Sequence, residues 1–366
     1  MKKQIEPINF IKIMATMCVF FIHTSIFSSQ WSGFSFSKGT WFFKTPAWAA
    51  VWIFFFISGY CNGGNFIAKN TKYNFELKSI WNFYKKRFLK VIWPTWIFIF
   101  CALTIGEPEF LKQNPEVVIK ILTLRYYNNP ASASIGATWF VFTLAQLYLL
   151  TPFICYIISK ILKNIYKNKR AKYILLLLCI VLGGTFRLIM YIKGVDWSSK
   201  VYVPFYGNLD IYTAGIIFST LKEEREYKRV KYNLSIIFSL LLFVGVLIIN
   251  SDIYYRGTQK IEYLLVYQYI FPSIYIIVLC IFIYNSSFWK IDYAGTSFGT
   301  RLLDKFASIS FEFYLIHSIV LYKISPYIVT NNANKAYFLL LLIGFCVTTT
   351  LAILFRNGYR NIWHKL

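Results

Sequence analysis

Residues Ile8–Phe27, INFIKIMATMCVFFIHTSIF, decide how the rest of the chain reads. The run is long and apolar enough to cross a bilayer as an α-helix. Two ionisable residues stand inside it, Lys12 and His23. Eleven positions at about 100° each come to roughly three turns, so both side chains lie on one face, roughly 16 Å apart along the axis. Ionisable groups inside a span are costly and face a cavity or a partner. One face therefore offers a cation at one depth and an acid/base group at another. That suits holding an anionic molecule from one side while its reactive end is presented deeper in. A plainer reading stands beside it, in which Lys12 snorkels to the headgroups and His23 is an interfacial histidine bonded to a neighbour.

Runs of the same kind recur from end to end. Of 366 residues, 57% are hydrophobic, 20% aromatic and only 15% charged, which excludes an ordinary soluble globular protein. A net charge of +24 would suit nucleic acid. These cations sit between apolar runs, however, where they set orientation, so membrane lipid rather than nucleic acid is the expected partner.

The runs predict about ten transmembrane helices, near 8–27, 42–60, 88–105, 137–158, 173–192, 204–221, 233–251, 263–284, 306–324 and 336–355. The first is too long for a signal peptide, and no small-residue cleavage site follows it. Ten spans put both termini on one side. The connections on that side hold 26 of the 39 Lys and Arg residues and the opposite connections hold 10, which predicts cytoplasmic termini. The expectation is an all-α polytopic protein, one domain over 1–366, multi-pass in the cell (plasma or inner) membrane. The outer connection 106–136 predicts a short amphipathic helix lying over the membrane face. Seven scattered cysteines, with no CxxC pair or His/Cys cluster, predict small apolar packing and no metal site.

Three further passages carry candidate chemistry. FFFISGY, 54–60, ends the second span with Ser58-Gly59, a place for close helix packing or for a serine hydrogen bond. WNFYKKRFLKVIWP, 81–94, places Lys85, Lys86, Arg87 and Lys90 at the entrance of the third span. Arg87 and Lys90 share a helix face, as a topogenic or lipid-binding cluster or as a clamp for pyrophosphate. WFVFTLAQLYLLTP, 139–152, forms the fourth span.

Taken in order, these passages resemble the integral-membrane acyltransferase family 3. Lys12 and His23 match its basic residue and histidine separated by ten positions, with lysine where arginine is usual. FFFISGY is similar to its FF-x-SG-aromatic passage, and Arg87 and Lys90 stand in its Arg-x-x-Arg passage before a proline. WFVFTLAQLYLLTP resembles its Trp…Tyr-Leu-Leu-x-Pro span, and SISFEFYLIH, 308–317, its late Ser…Tyr-Leu-x-His passage. The family's O-acetylase branch carries a glutamate in the fourth span, where this chain has Leu144. Many of that branch add a C-terminal hydrolase-like domain, so a short stand-alone member is expected here.

The resemblance implies transfer of an acyl group, usually acetyl, from cytosolic acyl-CoA to an acceptor at the outer face, a polysaccharide or glycolipid hydroxyl. Acetyl-CoA would be a co-substrate, with no bound cofactor. Lys12, Lys86, Arg87 and Lys90 would hold the CoA phosphates, and His23 would serve as general base or transient acyl carrier. Two rivals remain at this point. A transporter of a small anion or glycolipid predicts inverted repeats and broken helices. A structural subunit of a polysaccharide export complex has no need of Lys12 and His23 on one face.

Other charges lie within the predicted spans. Arg187 and Asp210 are each about five residues from the same outer connection, so their matched depth predicts a buried pair. Glu312 and His317 are five positions apart and not on one face, so no dyad is expected of them. Glu312 lies near the depth of Lys12 and is placed to neutralise it. Tyr314 and His317 line the cavity or belong to a structural polar network. His364, in the tail, is expected to be uninvolved.

Overall fold

A computed structural model describes residues 7–32, 46–70, 75–124, 135–163, 169–221, 234–257, 265–286, 298–330 and 332–363. The described chain is helical, with no strand. We number its helices α1 Pro7–Ser32, α2 Pro46–Asn70, α3 Leu77–Gly106, α4 Pro108–Gln113, α5 Glu116–Leu122 and α6 Trp139–Lys163. They continue with α7 Lys169–Ile192, α8 Leu209–Ser219, α9 Leu234–Gly257, α10 Phe271–Ser286, α11 Phe298–Ile324 and α12 Ala333–Trp363.

Among the described residues, seven stretches are long and apolar enough to cross a membrane; they lie in α1, α3, α6, α7, the run Val266–Asn285 through α10, α11 and α12. The apolar parts of α2 (Trp48–Gly63) and α9 (Ile237–Asn250) are shorter. Burial separates centre from rim. About two thirds of the apolar window of α11 and 61% of that of α6 lie inside the protein, against 17% for α7 and 22% for α12. α7 accordingly exposes Leu177, Leu178, Val181, Leu182 and Leu188, an apolar face suited to lipid. This is a multi-pass membrane bundle.

The expected sixth span, 204–221, is not one continuous helix. A π-helical turn, Ser198–Tyr202, precedes it, and it comprises a 3₁₀ turn, Phe205–Asn208, and then α8, too short at 11 residues to cross. Irregular backbone survives inside a bundle only when protein satisfies its polar groups. Here Asn208 Nδ2 donates to the carbonyls of Tyr202 (2.6 Å) and Pro204 (3.0 Å), and Thr143 Oγ1 donates to that of Val203 at 2.7 Å. The expected amphipathic helix in 106–136 forms as two short pieces, α4 and α5, on either side of Pro115.

α8 lies against α2 at backbone distance. A Cβ on Gly59 would stand 2.0 Å from the Tyr212 carbonyl oxygen, and one on Gly215 would stand 2.2 Å from that of Phe56. Reciprocal glycines let two helices meet this closely. Ser58-Gly59 thus divides its labour, since the glycine packs and the serine turns the other way.

Candidate active site

The faces of α1, α2, α3, α6, α11 and α12 enclose a cavity of about 820 Å³, within the range of small-molecule sites. Three of the quoted passages meet on one wall. Ser58 and Asn62 come from α2, Arg87 and Lys90 from α3, and Tyr148 from α6. The basic pair owes its placement to Pro94. Proline has no N–H, so the Lys90 carbonyl four residues earlier lacks its helical donor and the local ladder changes pitch. The result is a π-helical stretch, Phe88–Ile92, closed by the Trp93 N–H donating to the Phe88 carbonyl. Arg87 is wedged between two rings, its guanidinium carbon 5.5 Å from the centre of Phe83 and 5.6 Å from that of Tyr148. The Tyr148 hydroxyl is engaged by the side chains of Ser58 and Asn62. The Arg87 Nε is buried without a hydrogen-bond partner. Leu144 also lines the cavity, an apolar side chain one turn from Tyr148.

Lys12 enters from α1, and the opposite wall is built by α11 and α12. Glu312 and Lys12 share the cavity as expected but form no ion pair. Instead the Tyr359 hydroxyl donates to Glu312 Oε1, while Glu312 Oε2 is buried without a hydrogen-bond partner. Arg356 and Arg360 line this wall, although in the sequence they counted only as tail cations. Lys86 is exposed and is not among the lining residues. His364 lies outside the described residues.

Three rings close the end of the cavity away from the arginines. Phe54, Phe140 and Tyr314 lie with centroids 5.5–6.1 Å apart, and the Tyr314 hydroxyl donates to the Ala137 carbonyl at 2.5 Å. His23 and His317 stand beyond this partition, with His23 Nδ1 2.9 Å from His317 Nε2. Neither histidine is among the cavity's lining residues. The expectation that Glu312 and His317 do not pair holds, because His317 turns toward α1.

The hydrogen bonds fix the tautomers. His317 Nδ1 faces the Tyr314 carbonyl, which can only accept, so that nitrogen carries the proton and Nε2 of the neutral ring holds a lone pair. His23 Nδ1 must then be the donor in the bond between the rings. The Val19 carbonyl, 3.0 Å from the same nitrogen, requires the same assignment. His23 Nε2 is left with its lone pair. His317 is 1% exposed, whereas His23 is only half-buried.

This partner was invisible to a reading of single helices, because 294 positions separate the two histidines. Its signal was the histidine of SISFEFYLIH, one turn past the tyrosine that seals the cavity.

A family model described as acyltransferase domain matches residues 5–357. The chain belongs to the acyltransferase 3 family. Comparison with curated proteins and with solved structures gives no match. The acyltransferase also holds the pair expected between its fifth and sixth spans. Arg187 Nη2 lies 2.8 Å from Asp210 Oδ2 and Nη1 lies 3.1 Å from Oδ1, a two-pronged bridge that Ser273 extends as a further acceptor at 3.0 Å. Arg187 is 1% exposed and outside the cavity lining, so its placement is that of a structural tie.

Proposed function

We propose that this membrane acyltransferase moves an acyl group, acetyl by preference, from cytosolic acyl-CoA to a hydroxyl of an extracytoplasmic polysaccharide or glycolipid. The observation that carries the reading is a cavity with cations at one end and, past an aromatic partition at the other, a histidine whose Nε2 lone pair is free. The broken α8, with α2 and α9, would complete ten passes, and the Lys/Arg bias supports a cytoplasmic position for the cationic end of the cavity.

In this scheme Lys12, Arg87 and Lys90 neutralise the donor's phosphates, and the pantetheine arm runs toward Tyr314. An extended arm, on the order of 15–20 Å, matches the roughly 16 Å rise from Lys12 to His23. His23 Nε2 takes the proton of the acceptor hydroxyl as its oxygen attacks the thioester carbonyl carbon. The carbon–sulfur bond breaks, the electron pair leaves on sulfur, and the proton on His23 passes to the thiolate. Loss of such a base removes about two to four orders of magnitude in rate.

The test uses proteoliposomes with labelled acetyl-CoA on the side of the termini and glycan on the other. Wild type should yield labelled glycan and free CoA, and His23→Ala neither. Transfer at the wild-type rate by well-folded His23→Ala would overturn the assignment. Glycan crossing without acetylation would favour a transporter.

A further inference from the structure

We infer that Arg356 and Arg360 of the last helix form a second anion subsite in the cavity, which takes the 3′-phosphate of the donor nucleotide. This inference rests on the acyl-CoA reading above. Among the described residues, five cations line the cavity, Lys12, Arg87, Lys90, Arg356 and Arg360, against one carboxylate, Glu312. None of the five forms a salt bridge with a described residue, and the hydrogen bond into Glu312 comes from neutral Tyr359. The lining therefore carries a net charge of four, and it calls for an anion with several charges. Coenzyme A carries two on its diphosphate and about 1.5–2 on its phosphate monoester, which matches in both total and division.

The division follows from the two walls. Arg356 and Arg360 are four residues apart and share one face of α12. Arg356 is held by Ser308, its Nη1 donating to the Ser308 carbonyl and to Oγ at 2.6 Å. This fixes one edge of the guanidinium and leaves its remaining N–H groups to the cavity. Two guanidinium forks suit a dianionic phosphate monoester, which offers three terminal oxygens. The opposite wall presents two lysines and the ring-clamped Arg87, and it borders Tyr148 and Leu144, along which the arm leaving the diphosphate would run. Glu312 Oε2, buried and without a partner on the wall of Arg356 and Arg360, offers an acceptor to a donor N–H of the bound nucleotide.

The experiment compares the affinity of the full chain in nanodiscs for CoA and for 3′-dephospho-CoA. Wild type should bind CoA at least about tenfold more tightly, from charge-assisted hydrogen bonds of about 1.5 kcal/mol or more. Arg356→Gln and Arg360→Gln should each shrink that ratio toward one and leave dephospho-CoA affinity unchanged. Arg87→Gln should weaken both ligands alike and keep the ratio. Arg360 is exposed and its side chain makes no hydrogen bond to a described residue, so Arg360→Gln decides the matter even if Arg356→Gln misfolds. A ratio preserved in Arg360→Gln, or a wild type that binds both forms equally, overturns the subsite and leaves the donor reading standing. A wild type that binds neither form overturns both.

Discussion

Replacing His317 by leucine tests the chain of hydrogen bonds that sets the state of His23. In the native arrangement His23 Nδ1–H has two acceptors, the Val19 carbonyl at 3.0 Å and His317 Nε2 at 2.9 Å. Leucine removes the second and leaves the first, so the productive tautomer is weakened but not reversed. One neutral hydrogen bond contributes about 0.5–1.5 kcal/mol. At about 1.4 kcal/mol per factor of ten, kcat should fall roughly 2- to 12-fold. His317→Gln, whose amide oxygen can accept, should recover much of that loss. His317 does not line the cavity, so the donor KM should stay at its wild-type value. The decisive measurement is the double variant His23→Ala/His317→Leu, assayed by initial rates of acetyl transfer over a range of donor concentrations. A residue that works only through His23 adds nothing once His23 is gone. If the two losses multiply, or if His317→Leu raises KM with kcat intact, the tautomer argument is wrong.

Three further outcomes are expected. Arg187→Leu or Asp210→Asn should lower stability by about 3–5 kcal/mol, because each strands a buried charge, and the combined Arg187→Leu/Asp210→Leu protein should melt above Arg187→Leu in the same detergent. Gly59→Ala drives a Cβ to 2.0 Å from the Tyr212 carbonyl oxygen and should cost about 1–3 kcal/mol or more, whereas Gly245→Ala, with open space at its Cβ, should leave the melting temperature near wild type. Arg87→Glu and Lys90→Glu should weaken acetyl-CoA binding by about 1–3 kcal/mol per charged hydrogen bond lost, and Lys78→Glu, on an exposed stretch of the same helix, should not; equal effects at all three would mean that the basic stretch serves orientation alone.

Much of this arrangement was legible before any coordinates. Lys12 and His23 betray one face by spacing within a single helix, and Arg187 and Asp210 betray their bridge by equal depth from one short connection. What stayed hidden depends on how separate helices turn toward each other. His317 could be assigned to a helix but not to a neighbour, and so its role in orienting His23 could not be read. Arg356 and Arg360 look like the cationic tail that any last span carries, and only the turn of α12 toward Ser308 makes them cavity residues. The break before α8 was concealed because 204–221 is apolar enough to pass for a span, although Pro204 and Gly207 stand at the break.

The glycine contact between α2 and α8 has a mechanical consequence. A backbone pressed against a backbone has no side chains to yield, so these two helices behave as one rigid jaw, and Ser58 and Asn62 are mounted on it. Motion that admits a thioester past Phe54, Phe140 and Tyr314 must then come from the other jaw. There α3 widens into a π-helical stretch beside Pro94, and the Tyr314 hydroxyl is one of several side-chain bonds that tie α11 to its neighbours, here to the Ala137 carbonyl. A packed backbone pair thus leaves any adjustment of the cavity to the helices that meet it through side chains.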